Sequence, residues 1–162
     1  MFGSLFGVRN FAHFRPIAPE RDFPEDASEL VKEDFAASSE DNFSPTWITW
    51  NEIKAINWEE AVEVEPYQMR YFIKLKDGRM SWAQTTYPRA HLAQKLGLSE
   101  AALDSAWKHG QVFEIDGKRY EAVKFIKRKD SLTKGWQTLF KLMEVLAEEY
   151  GADGVRLIAW FD

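Results

Sequence analysis

Two Asp-Gly dipeptides, Asp77-Gly78 and Asp116-Gly117, constrain this chain more than any other feature. Each lies between runs of β-forming residues and supplies the two positions tolerant of positive φ that a two-residue type I′ turn requires. In the first, Met69, Tyr71, Ile73 and Leu75 alternate with Arg70, Phe72, Lys74 and Lys76. A type I′ turn there predicts Leu75 opposite Met80 and Ile73 opposite Trp82, so that both apolar pairs share a face. The second turn predicts Phe113 opposite Tyr120 and Glu114 opposite Arg119, an aromatic pair and an ion pair. Antiparallel pairing follows at both sites.

Between the hairpins, residues 88–97 and 99–110 read as two short helices. Pro88 opens the first and Gly97 closes it; Ser99 caps the second and Gly110 stops it. Asp26-Ala27-Ser28-Glu29 has the form of a capping box opening a helix to about Ala37. Thr49-Trp50-Asn51-Glu52 is a second, opening a short helix that ends near Trp58. Leu132, Trp136, Leu139, Met143, Leu146 and Tyr150 recur at intervals of four and three and predict the longest helix. Its core-facing stripe leaves Lys134, Lys141, Glu144 and Glu148 outward, and Gly151 ends it. Residues 155–161 are almost uninterruptedly apolar, which predicts a strand covered on both faces within a sheet. Residues 5–9 read as a short first strand, 9–23 as a Pro-broken extended loop, and 38–45 as a polar, turn-rich loop. The sum is a single α+β domain over residues 1–162. Its sheet is mixed or mainly antiparallel with helices chiefly on one face, and a helical pair plus hairpin, residues 88–125, is inserted within it.

A chain of 162 residues buries roughly two thirds of its unfolded surface on folding, enough for one core. It has no Cys, which excludes a disulfide framework, a Cys-ligated zinc site and a thiol nucleophile, and agrees with a cytoplasmic setting. No stretch has the length and apolarity of a membrane span or a signal sequence. Charge is segregated along the chain. Residues 1–66 hold 5 Lys/Arg against 14 Asp/Glu (net −9), and residues 67–130 hold 13 against 7 (net +6).

Three blocks carry a resemblance: residues 8–10 and 16–28, with Arg21, Pro24 and Asp26; residues 44–53, with Trp47-Ile48-Thr49 and Glu52-Ile53; and residues 155–162, Val-Arg-Leu-Ile-Ala-Trp-Phe-Asp. They resemble a family of small uncharacterised bacterial and phage-encoded proteins. In that family Gly-Leu stands where this chain has Asp22-Phe23, and a His-Ser pair where it has Asn42-Phe43-Ser44. The resemblance implies a common fold and a bacterial or phage setting, and no chemistry.

Three functional readings arise from the residues. The first is a non-catalytic intracellular protein-interaction module using Trp47, Trp50, Glu40 and Asp41 of the acidic front half, an exposed Trp beside a polar loop being a natural anchor. The second is DNA binding through a helix-turn-helix-like segment, residues 88–109, followed by the hairpin 111–125, with Lys108, Lys118, Arg119 and Lys124 touching phosphate. Glu100 and Asp104 at the start of the second helix oppose it, since they would face the phosphate backbone. The basic run Lys124, Lys127, Arg128 and Lys129 has the same two readings, a phosphate grip or a solvated strand end. The third is an enzyme acting on a small anion held by Arg9, His13 and Arg21. No catalytic residue, metal site or cofactor is predicted. His13, His91 and His109 lack a helical i, i+4 partner, and no Gly-rich phosphate cradle or nucleophile elbow is present.

Overall fold

The computed structural model describes residues 1–37, 43–74, 76, 78 and 80–162. Among these are six α-helices and two antiparallel sheets, an α+β fold. The chain divides into two compact units, residues 1–60 with 127–162 and residues 61–126. Each has its own buried cluster, where the sequence reading anticipates one.

The first unit begins with a helix, α1 (Phe2–Phe6), rather than the strand expected over residues 5–9. Its short apolar run lacks alternation, and Gly7, at φ 86°, caps it by donating its N–H to the Gly3 carbonyl at 3.0 Å. That geometry sinks Leu5 and Phe6 into the core. Helix α2 (Glu29–Ala37) starts three residues after Asp26, and Ser28 Oγ accepts from Val31 N–H in its place. Strand β1 (Phe43–Thr49) includes residues 43–45, which the sequence reading places in a loop; the remainder of that loop, 38–42, lies outside the described residues. The capping box forms as expected: Thr49 Oγ1 accepts from Glu52 N–H at 3.1 Å and Glu52 Oε2 from Thr49 N–H at 2.9 Å, opening α3 (Trp50–Lys54).

Farther along the chain, a 3₁₀ turn (Arg128–Ser131) leads to helix α6 (Lys134–Tyr150). Met143 is buried, and Trp136 and Leu139 pack on the core as predicted, whereas Leu146 and Tyr150 are 49% and 61% exposed. The inward face instead takes in Phe140 and Ala147, because the rings of Trp50 and Trp58 pack on Phe140 at 6.2 and 5.8 Å. The final strand, numbered β6 in chain order (Arg156–Phe161), pairs among the described residues only with β1, Trp47 opposite Ile158 and Ile48 opposite Leu157. It is therefore one of two strands, not an interior one. Its apolar run is still explained by two coverings: Leu157, Ala159 and Phe161 meet the core, and Trp160 meets Phe23 and Phe35.

In the second unit, β2 (Ala61–Lys74), β3 (Met80–Thr86), β4 (Val112–Ile115) and β5 (Lys118–Lys127) form a sheet in the order β3-β2-β5-β4. Helices α4 (Arg89–Leu96) and α5 (Glu100–Ala106) cover one face, where Leu92, Ala93, Leu103 and Trp107 cluster with Met69, Ile115, Tyr120 and Ala122. Helix α5 ends at Ala106, four residues before Gly110.

The β4–β5 hairpin has the predicted register, Phe113 opposite Tyr120 and Glu114 opposite Arg119, with Asp116 and Gly117 at φ 52° and 73°. The predicted ion pair does not form: Glu114 and Arg119 make none among the described residues. The β2–β3 register is one residue from expectation, with Phe72 opposite Trp82 and Ile73 opposite Ser81. The slip turns Trp82 to the solvent side beside Phe72 and puts small Ser81 and Ala83 opposite Ile73 and Tyr71 on the helix side. Residues 75, 77 and 79 of this turn lie outside the described residues. No described helix is long and apolar enough to cross a membrane.

Candidate functional site: the open face of the four-stranded sheet

The front-half tryptophans are occupied within their own unit. The half-buried Trp47 ring has two guanidinium neighbours, Arg21 at 5.3 Å and Arg156 at 5.7 Å from its centroid. Arg21 forks onto Glu52 at 2.7 and 3.0 Å and Arg156 onto Asp26 at 2.6 and 2.5 Å. The hydrogen bonds from these guanidinium groups hold both carboxyls below the usual carboxylate range. Residues from three separate stretches of sequence, 21–26, 47–52 and 156, thus meet around Trp47. Trp50 packs half-buried on the core, and Glu40 and Asp41 lie outside the described residues.

The candidate anion site is dispersed. Arg9 donates to the Asp162 carbonyl at 2.9 Å and lines a cavity of about 280 Å³ with Phe2, Trp160 and Phe161. Neither His13 nor Arg21 lines that cavity. His13 is exposed on a turn at φ 56°, and the Arg21 fork is spent on Glu52.

The helical pair of the helix-turn-helix-like segment turns Leu103 and Trp107 into the sheet and leaves Glu100 and Asp104 outward. Arg89 of α4 pairs with both carboxylates at 2.5 Å, and the Tyr67 hydroxyl donates to Asp104 at 2.6 Å. These contacts lower the Asp104 carboxyl and raise the Tyr67 phenol. Lys108, Lys118 and Lys124 are exposed; Lys124 lines a cavity of about 340 Å³ with Tyr67, Trp107 and the carboxylate-bearing Asp104 of α5, and its N–H donates to His109 Nδ1. The basic run beyond them is neutralised at its source. Lys127 and Lys129 share Glu59 at 2.8 and 2.5 Å, which holds that carboxyl down at about 2, and Arg128 is buried against Glu60.

What the sequence reading does not anticipate is the open face of the β3-β2-β5-β4 sheet. Phe72 and Trp82, 56% and 45% exposed, stack with ring centroids 3.6 Å apart and planes at 29°. The Arg70 guanidinium lies 4.7 Å from the Trp82 centroid. Arg70 is itself held by Glu121 at 2.6 Å, while its Nε is buried without a hydrogen-bond partner among the described residues. Val112 and Arg119 complete a shallow cavity of about 220 Å³ on this face. One signal was available in the sequence: Phe72 is an aromatic in the otherwise polar register Arg70, Phe72, Lys74. Trp82 could join it only once the true register was known.

No protein-family model, no curated protein and no solved structure matches the chain.

Proposed function

We propose that the protein is a non-catalytic binding module that engages a protein partner through the open face of its four-stranded sheet. The observation that carries this reading is the exposed stack of Arg70, Trp82 and Phe72. Arg, Trp and other aromatic side chains dominate the energetics of protein interfaces. A stack already formed in the free protein loses little side-chain entropy on association. The opposite face of the sheet is filled by α4 and α5, so these large exposed rings have no role in that core. The front-half anchors have less support, since Trp47 and Trp50 already have partners within the chain. The DNA reading has less support as well, because α5 presents carboxylates where phosphates would lie. A cytoplasmic setting in a bacterium or in phage-infected cells belongs to the same proposal, on the absence of Cys and on the family resemblance.

A photo-crosslinking amino acid placed at position 72 tests the face in the producing cell. The expected result is a discrete adduct at position 72 and none at the control position 98, an exposed leucine between α4 and α5. Absence of any adduct at position 72 would remove the proposal.

A further inference from the structure

Resting on that reading, we infer that the partner on this face is a second copy of this chain, packed sheet against sheet about a twofold axis with reciprocal Arg119–Glu114 ion pairs. A twofold interface must be complementary to itself, so each copy has to carry both halves of every cross-contact. This face does. Glu114 and Arg119 stand directly opposite one another on β4 and β5, yet neither forms an ion pair among the described residues. Both signs are therefore unspent on one copy and available to another.

The apolar side chains of the face suit burial against a like surface. Phe72, Trp82 and Val112 are all more than 40% exposed, and the charge beside them is settled internally by the Arg70–Glu121 pair. Two sheets packed face to face stand about 10 Å apart, a gap that interdigitating aromatic side chains fill. A polyanion would call for cations alone. Here Glu114 and Glu121 share the side of the sheet that carries Arg70 and Arg119, so charge complementarity favours a mixed-sign partner over a nucleic acid.

Sedimentation equilibrium on the full chain, from about 1 μM to about 1 mM, reads the association directly. The expected result is a monomer–dimer equilibrium in the wild-type protein. Trp82→Glu and, independently, Phe72→Lys should return the protein to monomer with an unchanged far-UV circular dichroism spectrum, since both positions are solvent-facing. Glu114→Arg and Arg119→Glu should each weaken dimerisation at least tenfold, because each sets like charges against one another at both symmetry-related pairs. Mixed in equal amounts, these two variants should dimerise again, since the mixed dimer restores an Arg–Glu pair at both places. A wild-type monomer throughout the concentration range overturns the inference, as does a dimer indifferent to both Trp82→Glu and Phe72→Lys, or a mixture of the two charge variants that stays monomeric. The crosslink at position 72 separates this failure from that of the underlying reading. An adduct containing only this chain's peptides supports the dimer; an adduct with a different protein overturns the dimer while the face stands; no adduct removes both.

Discussion

The Arg128 guanidinium holds Glu60 through two N–H donors, Nη2 at 2.7 Å and Nε at 3.1 Å, at the place where the chain leaves the first unit and returns to it. Only 1% of Arg128 is exposed. Its remaining donors reach the Ser4 carbonyl at 2.5 Å and the Arg15 carbonyl at 3.0 Å, and its Cζ lies 4.8 Å from the Phe14 ring centroid. The main chain repeats the connection: Arg128 N–H donates to the Glu60 carbonyl at 2.9 Å and Lys129 N–H to the Trp58 carbonyl at 3.0 Å. One side chain thus ties residues 4 and 15 to the two chain crossings at 60 and 128. A planar fork can do this where a single ammonium cannot.

Replacing Arg128 by Met should destabilise the first unit by about 2–3 kcal/mol, because the buried Ser4 carbonyl and the part-buried Arg15 carbonyl lose charged donors while Glu60, partly open to water, retains some hydration. Arg128→Lys should recover only part of this. Urea denaturation midpoints of the three proteins, at constant m-value, are the measurement. A change of less than about 0.5 kcal/mol in Arg128→Met would contradict the assigned role.

Glu59 provides a pH signature. Hydrogen bonds from Lys127 and Lys129 lower its carboxyl from 4.5 to about 2 in the folded protein. Since the folded value is the depressed one, the stabilisation is complete above the unfolded value of 4.5 and is lost as pH falls from there toward 2. Glu59→Gln should therefore be less stable than wild type at neutral pH, by a small amount that shrinks with added salt, because the pair is solvent-exposed. The two proteins should converge near pH 2. Parallel acid-unfolding curves for wild type and Glu59→Gln, offset equally at neutral and low pH, would refute this.

Gly117 sits at φ 73° with open space where a Cβ would be. Gly117→Ala should thus cost about 1 kcal/mol through backbone conformation alone, with no clash to relieve. Gly117→Asn should cost less, since Asn accepts the left-handed conformation more readily. Thermal unfolding of the two variants separates them. Equal losses would mean that the turn is not under the backbone constraint inferred here.

The resemblance blocks and capping patterns show how far local chemistry can be read. Thr49 and Glu52 meet as their spacing requires, because a capping box is closed within one helical turn and needs no distant partner. The Asp26 pattern looked equivalent. There the carboxylate goes to Arg156, 130 residues away, and Ser28 takes the cap, because a bidentate guanidinium outbids a backbone N–H for the same oxygens. Trp47 and Trp50 read either as exposed anchors or as core fillers for a similar reason: nothing near them in sequence announces the guanidinium groups and the Phe140 ring that pack on them.

The sequence by itself determined the α+β class, the β4–β5 register, the Thr49 cap and the long helix, expected over residues 132–150 and formed over Lys134–Tyr150, since each is fixed by φ preferences, hydrogen bonds or periodicity acting over a few residues. Tertiary structure decided the rest. It divided the strands between two sheets, shifted β3 by one residue so that Trp82 lies on Phe72, and paired the basic run at 127–129 with Glu59 and Glu60, burying Arg128 alone. Those outcomes depend on which distant groups compete for a buried volume or a charge. That competition is resolved only when the chain is folded, so no local pattern records it.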